Sequence, residues 1–301
     1  WKHSGGLEQA EVDALVRAAI EAGINFIDTA DVYTEGRSEE MTGQALRNLG
    51  VKRDEIVVAT KVNGQTGQGA NGRGASRYHI MEAVKASLAR LRLDHIDLYQ
   101  IHSFDPATPI EETMEALDTL VRHGHVRYIG VSNWAAWQIM KALGIAERKG
   151  LHRFVSVQAY YTLAGRELER EIAPMLLSEE VGLLVWSPLA GGFLSGKYKR
   201  NQPIPEGARL TEWKDTMKRI GVERSYDVIE KLETIAKKRD SSPAQIALAW
   251  LLAKKEVTSI IVGARTVAQL DDNLRAAEVK LEADDVKALD EISNPDWAYP
   301  Y

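Results

Sequence analysis

The alternation of short apolar runs with amphipathic stretches constrains this chain more than any other feature. Glu8–Ala22 sets Val12, Leu15, Val16, Ala19 and Ile20 at helical spacing and ends in Gly23, a residue suited to the position just past a helix. A short strand, Phe26-Ile27, follows. Ser38 reads as the N-cap of a helix to about Leu49, and Ile56–Lys61 is a β-branched run of the kind buried on both faces. The pattern then repeats: helix Ser76–Arg92 and strand Ile96–His102, helix Ile110–His123 and strand Arg127–Val131, helix Ala135–Lys149 and strand Phe154–Gln158, helix Leu168–Glu180 and strand Gly182–Trp186. An irregular stretch, Ser187–Thr216, precedes helices Ser225–Arg239 and Ser242–Lys254, strand Ser259–Val262 and helix Thr266–Ala276. Ser242 before Pro243 reads as an N-cap with proline at the first helical position.

Such alternation argues for a parallel α/β sheet, either doubly wound or closed as a barrel. Polar residues decide between them. Asp28, Lys61, His102, Ser132 with Asn133, Gln158, Trp186 with Ser187, and Gly263 with Arg265 all fall at C-terminal strand ends. A doubly wound sheet needs such ends only near its switch point, whereas every βα loop of a barrel faces one mouth. The expectation is therefore a single (β/α)8 TIM barrel over residues 1–301, with loops 63–75 and 187–216 over the mouth and a C-terminal helix and tail at 277–301. Seven strands are readable, so the expectation is either that the first strand of the barrel lies upstream of Trp1 or that the barrel closes irregularly.

Composition closes off several functions. A formal net charge of −5 leaves no basic footprint for nucleic acid. With no cysteine there is no disulfide, thiolate nucleophile or cysteine-ligated zinc. No apolar run approaches the roughly 20 residues that cross a bilayer, and WKHSGG has no signal-peptide character. A soluble, cytoplasmic protein is the reading.

Several motifs lead nowhere. Gly67, Gly69 and Gly72 fit GxGxxG, but residues Asn63–Thr66 separate them from the strand and no helix opens on the last glycine, so Asn63–Ala75 reads as a lid or substrate loop. His123 and His125 lack a third ligand nearby and read as solvated helix-end residues, so no metal is expected. No GxSxG elbow occurs.

Asp28, Tyr33, Lys61 and His102 remain. Singly, each has a structural explanation: an internal ion pair for Asp28 and Lys61, a rim aromatic for Tyr33, a satisfied polar residue for His102. Together they lie on or just after three successive strands at one end and fit one task. A phenol is a poor acid at neutral pH, but a nearby ammonium stabilises phenolate, and Lys61 is suited to do so with Asp28 holding it. His102 would hydrogen-bond the substrate oxygen. A proton donor of this kind suits a developing alkoxide, so the partner reaction is hydride delivery to a carbonyl. Asp31 reads only as a cap of the loop.

At these residues the chain resembles the aldo-keto reductase superfamily. The matching text is GINFIDTADVY (Gly23–Tyr33), ATK (Ala59–Lys61), DLYQIH (Asp97–His102), GVSNW (Gly130–Trp134), VQAYY (Val157–Tyr161), WSPLAGG (Trp186–Gly192) and GARTVAQLDDN (Gly263–Asn273). Within it, the chain looks most like the bacterial aryl-alcohol-dehydrogenase-like branch, which is similar to potassium-channel β subunits. The resemblance implies an NADP(H)-binding barrel in which Tyr33 is the general acid/base, Lys61 and Asp28 tune it and His102 orients the carbonyl. It also implies that Ser132, Asn133 and Gln158 hold the nicotinamide carboxamide, that Trp186 stacks on the ring, and that Ser187, Leu189, Gly191 and Lys197 line the pyrophosphate. Gly263, Arg265, Gln269, Asp272 and Asn273 would hold the adenosine end, where a helix N-terminus and Arg265 favour a 2′-phosphate. In the family a β-hairpin and the first barrel strand precede this region, and a longer tail follows it.

Two functions follow from the resemblance. One is an NADPH-dependent carbonyl reductase, reversibly an alcohol dehydrogenase. The other is a nicotinamide-binding regulatory subunit with weak reductase activity. His102 favours the enzyme, because channel subunits carry an amide at the matching position. Trp1, Trp134, Trp213, Trp297 and Tyr299 could reach the mouth and hint at a bulky or aromatic carbonyl, although each is as readily a packing residue.

Overall fold

Each apolar run forms a parallel strand, and nearly every amphipathic stretch a helix, in a computed structural model that describes residues 6–211 and 214–297. Contacts divide the chain into two compact units, Trp1–Gln158 with Ala264–Val267, and Ala159–Gly263 with Ala268–Tyr301. Trp1, Trp213 and Tyr299 lie outside the described residues.

The first unit runs α1 (Gln9–Glu21), β1 (Phe26–Asp28), α2 (Arg37–Asn48), β2 (Val57–Val62), α3 (Arg77–Leu91), β3 (Ile96–Ile101), α4 (Ile110–Arg122), β4 (Val126–Ser132) and α5 (Ala136–Lys149), and ends within β5 (Ser156–Tyr160). Strand order follows chain order, all pairs are parallel, and the register sets Asp28 beside Ala59, Lys61 beside Gln100, and Ser132 beside Gln158. Helices α3 and α4 bury Ile80, Val84, Leu91, Met114, Leu117 and Leu120, the stripe that their spacing predicts. Gly23 ends α1 with its N–H on Ile20 O (2.9 Å) while Ile24 N reaches Ala19 O (2.9 Å), the two bonds of a Schellman ending.

One cap is elsewhere than expected. Ser38 lies inside the first turn of α2; the N-cap is Gly36, at φ +89°. A β-carbon there would stand 2.8 Å from Arg90 Cδ, so the backbone favours glycine and any larger residue would have to displace the Arg90 side chain. Ser38 instead shares a hydrogen bond with the Thr29 hydroxyl at 2.7 Å.

The second unit holds α6 (Ile172–Glu179), β6 (Gly182–Trp186), α7 (Lys214–Ile220), α8 (Glu223–Lys238), α9 (Pro243–Leu252), β7 (Val257–Ile260), α10 (Val267–Leu274) and α11 (Ala283–Ile292). β6 and β7 pair in parallel. α6 begins later than Leu168 because Pro174 is tolerated only in a first turn, and Glu167–Glu169 forms a separate 3-10 turn. The irregular stretch contains two further 3-10 turns and yields to α7 at Lys214. Ser242 caps α9 as expected, accepting from Gln245 N at 3.2 Å. Trp250, fully buried, anchors this unit: its indole N–H donates to Asp290 Oδ1 at 2.9 Å, and its ring packs 5.5 Å from Tyr161.

Candidate active site

Strand β1 stops at Asp28, and the following loop must turn back towards α2 within eight residues. Tyr33 is pinned in that turn by its own N–H on Ala30 O (3.1 Å) and by Ser38 N on its carbonyl (3.2 Å). Thr34, Glu35 and Gly36 then run in the left-handed region at φ 54°, 58° and 89°. Such backbone is costly for the two non-glycine residues and fixes the chain direction after Tyr33.

Lys61 projects from β2 with none of its side chain exposed, and its ammonium pairs with Asp28 Oδ2. A second bond goes to Thr29 O at 2.9 Å. The other Asp28 oxygen accepts from Gln158 Nε2 (2.9 Å) and Gln100 Nε2 (3.1 Å). Both Asp28 oxygens are thus engaged by donors. Burying such a pair gains little net stability; what it secures is the position of Lys61 Nζ, 5.1 Å from the centre of the Tyr33 ring.

His102 follows β3, and its N–H continues the ladder to Val62 O at 2.8 Å. Its Nε2 stands 3.5 Å from Tyr33 Oη, with the rings edge to face at 5.5 Å. Burial, and then the Lys61 charge, push the imidazole down to about 4, against a smaller opposing pull from Asp28. At neutral pH it is an uncharged imidazole, suited to hydrogen bonding rather than to carrying a proton. Asn133, at φ 58°, steadies it by donating to His102 O at 3.1 Å.

All four side chains belong to the first unit, and together they suit proton transfer to an oxygen that sits beside the Tyr33 Oη and His102 Nε2 pair within reach of both. The sequence profile described as the aldo/keto reductase family matches residues 1–294. The chain belongs to that family. It is 40% identical over 275 residues to a protein of Oryza sativa subsp. japonica named for the β subunit of voltage-gated potassium channels, covering 91% of this chain and 84% of that one. It is similar to the versiconal hemiacetal acetate reductase of Aspergillus parasiticus, at 36% over 316 residues, 98% of this chain and 90% of that one. A protein of Schizosaccharomyces pombe named for aryl-alcohol dehydrogenase is 36% identical over 310 residues, 94% of this chain and 85% of that one. Among the described residues no helix is long and apolar enough to cross a membrane.

The aldo/keto reductase family generally uses NAD(P)H. In the second unit the turn after β6 runs Ser187, Ala190, Gly191 and Gly192 at positive φ, with Gly191 N on Ser187 Oγ at 3.0 Å. Lys197 Nζ lies over this turn, 3.3 Å from where a Gly192 β-carbon would be. The N–H groups of Ala190 and Gly192 are spent within the turn, on Ser187 O (2.8 Å) and Leu189 O (2.9 Å), so what suits this turn to a phosphate is the Lys197 ammonium above it. Leu189 is the residue before this 3-10 turn. Trp186, at the end of β6, lies 5.0 Å from the Tyr160 ring. Gly263 and Arg265 fall in the β7–α10 loop, and Gln269, Asp272 and Asn273 on α10. Asp272 is engaged, accepting from Ser242 Oγ (3.0 Å) and Gln245 Nε2 (2.7 Å), so it ties α10 to the start of α9.

Sequence reasoning missed Gln100. Its signal was available: strand alternation puts residues 100 and 102 on one face, and DLYQIH carries an amide where a buried strand expects an aliphatic. Asp31 is a correction. It does not cap the loop: its side chain is buried and neither carboxylate oxygen has a hydrogen-bond partner. Trp134 is also buried, edge-on to Phe104 (5.3 Å) and Phe154 (5.8 Å), as a packing residue. The GxGxxG stretch folds onto itself, with Thr66 N on Gly72 O at 2.8 Å, and α3 opens only at Arg77.

Proposed function

We propose that this protein is an NADPH-dependent oxidoreductase that reduces an aldehyde or ketone and, in reverse, oxidises the alcohol. The observation that carries this is the convergence of Tyr33 Oη and His102 Nε2 at 3.5 Å in front of a buried lysine. When bound, NADPH supplies the hydride that reaches the carbonyl carbon. Tyr33 then gives its phenolic proton to the oxygen as charge builds there. Lys61 stabilises the negative charge left on Tyr33, His102 orients the carbonyl through a neutral imidazole, and Asp28 with Gln100 and Gln158 keeps Lys61 in place.

Ser132, Asn133 and Gln158 are assigned to the carboxamide, Trp186 to the ring face, and Ser187, Leu189, Gly191 and Lys197 to the phosphates. Gly263, Arg265, Gln269, Asp272 and Asn273 are assigned to the adenosine end, with Arg265 favouring a 2′-phosphate and hence NADP over NAD. Closure as one (β/α)8 barrel belongs to this proposal too, supported by the family match and the parallel register. So does a cytoplasmic location.

A regulatory, nicotinamide-binding role is the second reading, favoured by the similarity to the protein named for a channel β subunit. Following NADPH absorbance over a panel of aromatic and aliphatic carbonyls separates the two. Turnover supports the reductase; tight NADPH binding with no turnover on any carbonyl supports the regulatory reading.

A further inference from the structure

Behind the Lys61 site lies a second polar cluster that the reaction as described does not use. Strand alternation turns Lys61 to one face of β2 and Thr60 to the other, where the Thr60 hydroxyl donates to Glu39 Oε1 at 2.6 Å. Glu39, on α2 and fully buried, takes Arg90 Nε from α3 on its other oxygen at 2.7 Å. Two members of the cluster have no hydrogen-bond partner: both carboxyl oxygens of Asp31, and the hydroxyl of fully buried Tyr99 on β3. Asp31 is only 2% exposed, and its own N–H is bonded to Lys61 O at 3.1 Å. It sits two residues before Tyr33, in the same turn.

A buried carboxyl without a partner costs stability, and a purely structural position would be served better by an amide or an apolar residue. Such a group in contact with a reactive loop is a candidate for function. The charged and titratable groups facing it are Glu39 from α2, Arg90 from α3, Lys61 from β2 and Tyr99 from β3. Burial first and Glu39 second push Asp31 up to about 7, against the lowering pull of Arg90 and of Lys61.

We propose that Asp31 is a positioning residue for the reaction: buried in the turn that carries Tyr33, it sets, by gaining or losing its proton, how much negative charge stands behind Lys61. Resting on the reading of Tyr33 as proton donor, it adds a control to that reading. When the Asp31 carboxyl holds its proton, the Lys61 charge is answered by Asp28 alone and remains effective at Tyr33. When Asp31 releases the proton to solvent, a second anion competes for Lys61, and the phenolate that reduction must create is less well supported.

The test compares the full chain with Asp31→Asn, an uncharged near-isostere. Two readouts are taken between about pH 6 and pH 8.5, spanning the range in which Asp31 titrates. The first is an infrared difference spectrum for a protonated carboxyl band, which reports Asp31 whether or not substrate is turned over. The second is kcat for carbonyl reduction. The parent is expected to lose the carboxyl band and about threefold or more of kcat as pH rises; Asp31→Asn should show neither step. Glu39→Gln, which retains Asp31, should move both steps to lower pH, and it decides the matter if Asp31→Asn fails to fold. A parent without the band, or a variant that keeps the activity step, overturns the proposal while leaving Tyr33 chemistry intact. Absence of turnover in a parent that binds NADPH removes the Tyr33 reading and this proposal with it, and the infrared band tells that failure from the first.

Discussion

Tyr33 Oη and His102 Nε2 face each other at 3.5 Å across two strands, close enough for one carbonyl oxygen to accept from both. Because the imidazole is pushed down to about 4, it stays neutral from mildly acidic pH upwards. His102→Gln should therefore lower kcat/KM by about 10- to 100-fold at all pH values above about 5, with the shape of the pH profile unchanged. A parent inflection near pH 6.5 that vanishes in the variant would show that His102 titrates during turnover, contrary to its assigned role.

Lys61 and Asp28 test the difference between position and stability. Lys61→Met leaves the Asp28 charge buried with only amide donors, so a loss of about 3–5 kcal/mol in denaturant unfolding is expected. Adding Asp28→Asn should restore most of that stability without restoring activity. Recovery of turnover in the double variant would show that the Lys61 charge is dispensable.

The two perturbed groups act on acid stability in opposite senses. His102 titrates lower folded than unfolded, so between about pH 4 and 6.5 the unfolded chain binds more protons and stability rises with pH. Asp31 titrates higher folded than unfolded, so between about pH 4 and 7 the folded chain binds more protons and stability falls with pH. Chemical denaturation across this window should show a steeper rise with pH in Asp31→Asn than in the parent. At pH 7.5 the same variant should be more stable by on the order of 2–4 kcal/mol. Equal stability of Asp31→Asn and the parent across the window would contradict the burial assigned to this carboxyl.

Gly36 connects the second cluster to the Tyr33 turn, because Arg90 packs where a β-carbon would stand. Gly36→Ala meets both the left-handed backbone at φ +89° and that contact. A loss of about 1–3 kcal/mol in thermal unfolding and a drop in kcat larger than any change in NADPH affinity are expected.

The strand and helix periods were legible along most of the chain, and so was the grouping of Asp28, Tyr33, Lys61 and His102, because each stands at the C-terminal end of a strand or just beyond one. What was hidden depended on contacts distant in sequence. Ser38 looked like a cap, but the left-handed turn through Thr34–Gly36 shifted the helix start by two residues. Gln100 was passed over as strand interior, although its amide completes the shell of Asp28. Asp31 looked like a loop residue because nothing local reveals that its side chain is buried. The helix at Lys214–Ile220 lacks an apolar stripe long enough to read against its irregular surroundings.

The most direct test of the central claim is a comparison of the parent with Tyr33→Phe, following NADPH consumption with an aromatic aldehyde while NADPH binding is measured separately. The variant keeps the ring and loses only the phenolic hydroxyl. The account predicts a fall in kcat of about 100- to 10,000-fold with NADPH affinity unchanged; turnover in Tyr33→Phe equal to that of the parent would contradict it.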